Sequence, residues 1–305
     1  MKAKAKASAR EPWFGKLSTG VKTALAVFRF QTAALPQGIP DTLFLGLTSR
    51  CDLACSHCKF SSLRRGPEMS FPTACLALRE AAALGIPKVI FFGGEPLLYR
   101  RLPELIKKAS ALGLFTELDT NGQTLTVPLA RRLAGAGLCS VMVSLHAESA
   151  VGHDRLASSG SFARARQALK AALASGLVTH ISCCVLPEKN ISPGIERLLA
   201  FARRQGTHGV RFVPYSAPGG GLSGLPASVS AALSRAGEKD YGRTCLRPGA
   251  RRCDAQDGRL LYVGPDGELR PCPYAARRRG TFPDVSLAAA LRGRPSGRPP
   301  CQTQR

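Results

Sequence analysis

From residue 41 onward the chain alternates short apolar runs with longer stretches of helical periodicity. The runs fall at residues 43–47, 88–92, 115–118, 140–144, 180–186 and 209–214. Between them lie amphipathic stretches near 72–84, 101–112, 128–136, 161–175 and 193–204, with Gly, Pro and Asn at the joins. Six strands separated by helices predict βαβ units and a parallel α/β sheet. Ahead of this region, residues 1–40 read as a basic tail and a short helix ending at Pro36, Gly38 and Pro40. Residues 216–240 form a Gly/Pro-rich linker. The pattern then changes: in residues 241–305 a strand-turn-strand signal spans 260–263 and 268–270 around Pro265, Asp266 and Gly267. Proline presets one dihedral of such a turn, and glycine supplies the positive φ. Four segments result: 1–40, 41–215, 216–240 and 241–305.

In parallel α/β sheets, chemistry gathers where the strands end. Cys51 follows the first run, Gly93-Gly94-Glu95-Pro96 the second and Asn121-Gly122 the third, while Ser144 closes the fourth.

The 305 residues are 44% hydrophobic and 21% charged, enough to bury a large core. Lys and Arg total 43 against 20 acidic residues, for a net charge of +23. Such a charge attracts nucleic acid, acidic lipid, acidic peptide or an acidic electron carrier. The basic residues run from Lys2 to Arg305 without a basic–aromatic patch, so nucleic acid is not expected as a partner. The apolar stretch from residue 21 to 35 is broken by Lys22, Arg29 and Gln31, and is too short and too charged to cross a bilayer. With no export signal the expected location is cytoplasmic, where the eleven cysteines would serve metals rather than disulfides.

Cys51, Cys55 and Cys58 form C-x3-C-x2-C. Three thiolates this close suit zinc, with His57 or a distant residue as fourth ligand, or an iron–sulfur cubane that leaves one iron open. Here the sequence resembles the radical S-adenosylmethionine (radical SAM) superfamily. The resemblance implies a partial (β/α)6 barrel and a [4Fe–4S] cluster on these cysteines, whose open iron binds S-adenosylmethionine. Reductive cleavage of that cofactor yields a 5′-deoxyadenosyl radical, which abstracts a substrate hydrogen. The glycine-rich segment at residues 93–96 matches the family's GGEP segment. By resemblance Gly93, Gly94 and Glu95 hold the methionine amino group, since glycines let the backbone approach a ligand. Thr120-Asn121-Gly122 and Val143-Ser144-Leu145-His146 sit where the family has further cofactor segments, which implicates Asn121 and Ser144. The pattern departs from the family at residues 153–158, where Ala157 stands at a position that often carries Arg. His146 and His153 are read as structural hydrogen-bonding residues.

The C-terminal cysteines Cys245, Cys253, Cys272 and Cys301 surround the strand-turn-strand. This stretch resembles the SPASM/twitch extension of many radical SAM enzymes, which implies an auxiliary [4Fe–4S] cluster. Cys245, Cys253 and Cys272 are the firmer ligands and Cys301 the fourth. A zinc knuckle is the rival, but no CxxC pair supports it. Cys75, Cys139, Cys183 and Cys184 are expected to pack as small buried hydrophobes.

The expected activity is radical modification of a ribosomal peptide or protein: crosslinking, oxidation or epimerisation. The alternatives are radical dehydrogenation or rearrangement of a small molecule, and a non-catalytic iron–sulfur or zinc protein that binds nucleic acid. A flavodoxin or ferredoxin is the expected electron donor.

Overall fold

The computed structural model describes residues 17–58, 60, 66–186, 194–215, 242–244, 254–255 and 257–292. The linker, the basic tail to residue 16, and Cys245, Cys253 and Cys301 lie outside these.

Six strands lie side by side in chain order: β1 (Thr42–Gly46), β2 (Lys88–Phe92), β3 (Phe115–Thr120), β4 (Ser140–Ser144), β5 (Val178–Val185) and β6 (Val210–Pro214). Every neighbouring pair is parallel. The helices are α1 (Thr19–Ala33), α2 (Phe71–Ala83), α3 (Leu102–Ala111), α4 (Val127–Gly135), α5 (Ala150–Asp154), α6 (Ser161–Ala174), α7 (Gly194–Gln205) and α8 (Leu287–Arg292). A 3-10 turn (Pro96–Leu98) follows β2. The result is the expected α/β partial barrel, open rather than closed. Among the described residues, no helix is long and apolar enough to cross a membrane.

Local chemistry sets the helix starts. Ser70 and Thr126 accept backbone N–H groups at the heads of α2 and α4, each with a proline in the first turn. The Asp154 carboxylate accepts from the amides of Gly160 and Phe162 and from the Ser161 hydroxyl, which fixes the start of α6.

Alternation along the strands divides the side chains between two compartments. Leu43, Leu45, Val89, Phe91, Leu118, Val141 and Val143 are fully buried against the outer helices. Burying each such side chain contributes roughly 1.5–3 kcal/mol. The intervening Phe44 and Ile90 face the lumen, where they meet Tyr262 in a separate apolar cluster. At the lower end α1 packs so that Phe28 stacks on Phe115, with ring centroids 4.9 Å apart, and Phe28 and Thr32 line the lumen.

The C-terminal segment enlarges the same sheet. Strand β8 (Leu260–Val263) pairs in parallel with β1, and β9 (Leu269–Arg270) folds back antiparallel. At the other edge β7 (Gly242–Thr244) pairs with β6, giving nine strands among the described residues. The β1–β8 seam is pinned at its base, where Arg259 Nε donates to Asp41 Oδ2 at 2.6 Å. The turn before β9 has the expected chemistry: Gly267 adopts φ +82°, and a Cβ there would lie 2.2 Å from the Phe282 carbonyl oxygen. Helix α8 is tied to α2 where the Leu287 amide donates to Glu80 at 2.8 Å.

Candidate active site

One cavity of about 560 Å³ occupies the lumen and opens at the carboxyl ends of the strands, a size suited to a cofactor with its substrate. Cys51, Cys55 and Cys58 line it, on the loop that follows β1. Gly93, Gly94, Asn121 and Ser144 line it as well, and Cys272 faces it from the C-terminal segment. Eight of the twelve residues singled out from sequence therefore lie half-buried or buried around it, besides Glu95, which stands behind its wall.

Among the described residues, no three Cys, His, Asp or Glu side chains converge as a ready-made coordination sphere. The donor chemistry on the loop nevertheless fits an iron–sulfur cluster: three soft thiols within eight residues face one enclosure. The Cys58 amide donates to the Cys55 carbonyl at 3.2 Å, which turns the loop. Asn121 Nδ2 lies 3.7 Å from Cys51 Sγ and donates to Asp52 Oδ1 at 2.6 Å, so the end of β3 steadies the first cysteine. Burial, then the nearby carboxylates of Glu95 and Asp52, push the Cys51 thiol up to about 11. Metal binding at this position must therefore displace a proton.

The glycines line the cavity and also let two stretches of backbone meet. A Cβ on Gly93 would lie 2.4 Å from the Thr48 carbonyl oxygen, and one on Gly94 would lie 2.3 Å from that of Arg50. They permit a close approach to the backbone of the cysteine loop. Hydrogen bonds complete the contact, from the Gly94 amide to Thr48 O and from the Glu95 amide to Arg50 O, both at 2.7 Å.

Glu95 is fully buried. Its carboxylate accepts from Leu97 N at 2.9 Å, Thr120 Oγ1 at 2.7 Å and Asn121 N at 2.7 Å. Burial pushes its pKa up to about 7 against the pull of these donors. Thr120 Oγ1 itself accepts from the Gly122 amide, so its proton points at Glu95. All three partners donate, which leaves the proton of a neutral carboxyl no acceptor; the ionised form fits. Glu95 is a bracket between the ends of β2 and β3.

Ser144 closes β4 beside Ser182 of β5, and both line the cavity. The expected structural role of His146 and His153 holds in the geometry. His146 Nδ1 accepts the Cys184 amide at 3.2 Å, and His153 Nδ1 accepts the His146 amide at 3.1 Å. The ring centroids of His57 and His146 are 4.4 Å apart, those of His146 and His153 5.4 Å. Burial lowers the pKa of all three imidazoles, that of His153 to about 4. Ala157, at the departure from the family pattern, is buried on the cavity wall. Its neighbours brace the cysteine loop: Leu156 O accepts from Ser56 N at 3.0 Å and Ser158 Oγ from Ala54 N at 3.2 Å.

Cys75, Cys139 and Cys183 are buried as expected, but Cys184 is only half-buried and lines the cavity. Its place at the inward-facing end of β5 accounts for the difference. A charged layer deeper in the lumen was also missing from the sequence reading. Lys88 Nζ donates to Glu117 Oε2 at 2.8 Å, and Arg211 donates to Asp119 Oδ2 at 2.9 Å. Burial opposes ionisation of Glu117, but Lys88 and Arg211 hold its pKa below the usual range; burial and the Glu117 charge together keep that of Asp119 above it.

The sequence model of the radical SAM superfamily matches residues 45–200, half of the chain, and spans every loop just described from Cys51 to Cys184. The chain belongs to the radical SAM superfamily. Members of that superfamily use a [4Fe–4S] cluster held by three cysteines together with S-adenosylmethionine, and these are the cofactors of this chain. Among curated relatives, the chain is 38% identical over 148 residues to a PqqA peptide cyclase of Xanthomonas euvesicatoria, covering 47% of this chain and 39% of that protein. It is 31% identical over 271 residues to the PqqA peptide cyclase of Gluconobacter oxydans, covering 81% of this chain and 73% of that one. The chain thus spans about two-fifths of the length of the first relative and about three-quarters of the second. The fold is shared with Streptococcus suis SuiB bound to its precursor peptide SuiA, at TM-score 0.64 and 15% identity over 88% of this chain and 68% of that one. It is also shared with anSMEcpe with bound AdoMet, at TM-score 0.63 and 16% identity over 82% of this chain and 80% of that one.

Proposed function

We propose that this protein is a radical enzyme that modifies a peptide, with Cys51, Cys55 and Cys58 as the ligands of its cofactor-cleaving cluster. One observation carries the reading: a single enclosure joins the three thiols, Gly93, Gly94, Asn121 and Ser144 to a deeper lumen with room for a second molecule. The similarity to PqqA peptide cyclases supports a peptide as that molecule.

When bound, the cluster and S-adenosylmethionine supply an electron transfer that yields a hydrogen-abstracting radical. The residues of the chain do the rest. The Gly93–Gly94 turn and the ends of β3 and β4 hold the cofactor against the cysteine loop. Glu95 fixes that turn from behind rather than reaching the cofactor itself. Neutral histidines and the aromatic rings of Phe44 and Phe92 wall the lumen and exclude water from the radical. Cys272, with Cys245, Cys253 and Cys301, would hold an auxiliary cluster, as the likeness to the SPASM/twitch extension implies. A flavodoxin or ferredoxin in a reducing cytoplasm is the fitting electron source, drawn to the net charge of +23.

The test is anaerobic reconstitution, then addition of dithionite, S-adenosylmethionine and PqqA peptide. The expected result is about eight irons per chain, release of 5′-deoxyadenosine, and a peptide lighter by two hydrogens. Iron-loaded protein that forms no 5′-deoxyadenosine would rule out the enzyme, and 5′-deoxyadenosine with an unchanged peptide would rule out this substrate.

A further inference from the structure

The cysteine loop has an outer side as well as the one that faces the lumen. Cys51, Cys55 and Cys58 line the cavity, whereas Ala54 and Ser56 between them are exposed to solvent. Both are tied to one segment: the Ala54 amide donates to Ser158 Oγ, and the Ser56 amide to Leu156 O. That segment leads from α5 into α6. Its Ala157 lines the lumen, while Arg155 does not and is exposed.

From residue 155 to the end of α6, and on the neighbouring α4, the chain carries six basic side chains and no acidic one. They are Arg131, Arg132, Arg155, Arg164, Arg166 and Lys170. Helices α4 and α6 pack on each other, which joins these residues into one outer face. Arg164 stands in the first turn of α6, at the end that meets the cysteine loop. Apart from the half-buried Arg166 all are exposed, and none of the exposed five makes an ion pair among the described residues. Asp154 borders the face, but the Gly160 and Phe162 amides and the Ser161 hydroxyl occupy its carboxylate. Other outer helices mix the signs: α3 sets Glu104 beside Lys107 and Lys108, and α7 sets Glu196 beside its arginines.

We infer that α4, α6 and the turn at residues 155–158 are the docking face of an acidic one-electron carrier protein. The carrier hands its electron to the cluster through the outer side of the cysteine loop. This rests on the cluster reading above and names where the electron enters. One electron leaves the carrier, as a flavin hydroquinone becomes a semiquinone, and reduces the cluster; no bond forms or breaks. A field of one sign speeds the encounter with an oppositely charged protein by about 10–10³-fold at low salt. Position selects this occupant over other polyanions. Electron transfer needs close approach to the cysteines, and this face reaches them from outside the lumen, which is left to the substrate.

The test is the rate of cluster reduction, read as loss of visible absorbance when reconstituted protein is mixed with reduced flavodoxin. Arg155→Glu with Arg164→Glu reverses the two charges nearest the loop. Arg79→Glu with Lys107→Glu makes the same change in net charge on α2 and α3. The first pair should slow reduction roughly tenfold or more at low salt, and the second no more than about twofold. High salt should close the gap, and dithionite should reduce wild type and variants at similar rates. Should the double reversal fail to load iron, Arg155→Gln with Arg164→Gln takes its place, with about threefold slowing expected. Equal slowing by both pairs would leave net charge as the cause and overturn the docking face. So would slowing with dithionite as well, or an unchanged rate in the first pair, even one that has lost binding to duplex DNA or anionic vesicles. Wild-type protein that dithionite reduces, but neither reduced flavodoxin nor reduced ferredoxin does, overturns the inference and leaves the cluster reading intact. A chain that binds no iron would sink both.

Discussion

The carboxylate of Glu95 accepts the backbone amide of Asn121 at 2.7 Å, and Asn121 in turn reaches Cys51 and Asp52 with its side-chain amide. A motif residue behind the site wall thereby sets the position of a residue in front of it. Glu95→Gln must turn its NH2 toward one of three donors. It should cost about 1–3 kcal/mol in urea unfolding and lower iron retention after desalting. Unchanged stability and iron content would show that the bracket is dispensable.

Gly94→Ala should be far more damaging than its size suggests, because the new Cβ would meet the carbonyl oxygens of Arg50 at 2.3 Å and Ser49 at 2.6 Å. Backbone cannot yield as a side-chain tip can, so the cysteine loop must shift and cluster assembly should fail. Gly135→Ala is the control. It lies in α4 with nothing within 4 Å of its Cβ, and it should gain roughly 0.5–1 kcal/mol. Iron per chain and thermal midpoint distinguish the two.

Acid should weaken the fold through His153. Burial lowers its pKa from 6.5 to about 4, so the folded protein binds this proton less readily than the unfolded chain does. The stability it contributes is complete above pH 6.5 and is lost as the pH falls toward 4. Between pH 7 and pH 5 the loss is about 2 kcal/mol. In His153→Asn, whose carbonyl can still accept the His146 amide, the pH-dependent part should shrink. Equal slopes of unfolding free energy against pH in both proteins would refute the assignment.

Phe92 stands edge-on to Phe44 at 5.7 Å, Phe60 at 5.9 Å and Tyr262 at 6.3 Å, one residue before Gly93. Phe92→Ala should cost roughly 3 kcal/mol by opening this wall. It should also raise abortive 5′-deoxyadenosine formation, as water reaches the radical. A stability loss with no rise in uncoupled cleavage would confine Phe92 to packing.

The strand and helix order was legible because outward-facing apolar residues give a strong signal at every strand. What escaped lies on the inward faces. β3 looked finished at Leu118 because Asp119 follows, yet the strand continues to Thr120 and Asp119 points into the lumen. β5 starts at Val178, ahead of the His180 that opened the expected run. A polar lumen makes a strand resemble a strand end. Cys184 was misplaced for a related reason: its pairing with the core or the cavity depends on a two-residue alternation that two adjacent cysteines hide. Pairing of β8 with β1 was invisible because nothing local records a contact between segments so far apart. The cysteine loop and the turn after β2 were legible as separate motifs, but their mutual hydrogen bonds were not.

That long-range pairing has a consequence for biosynthesis. Asp41 and Arg259, which pin the seam, are 218 positions apart. At elongation speeds of roughly 5–20 residues per second, the free edge of β1 waits on the order of ten to forty seconds on the ribosome before its partner exists. The strand that leads into the three-cysteine loop is therefore a nascent-chain liability. That edge is covered only once β8 has been made and has paired with it.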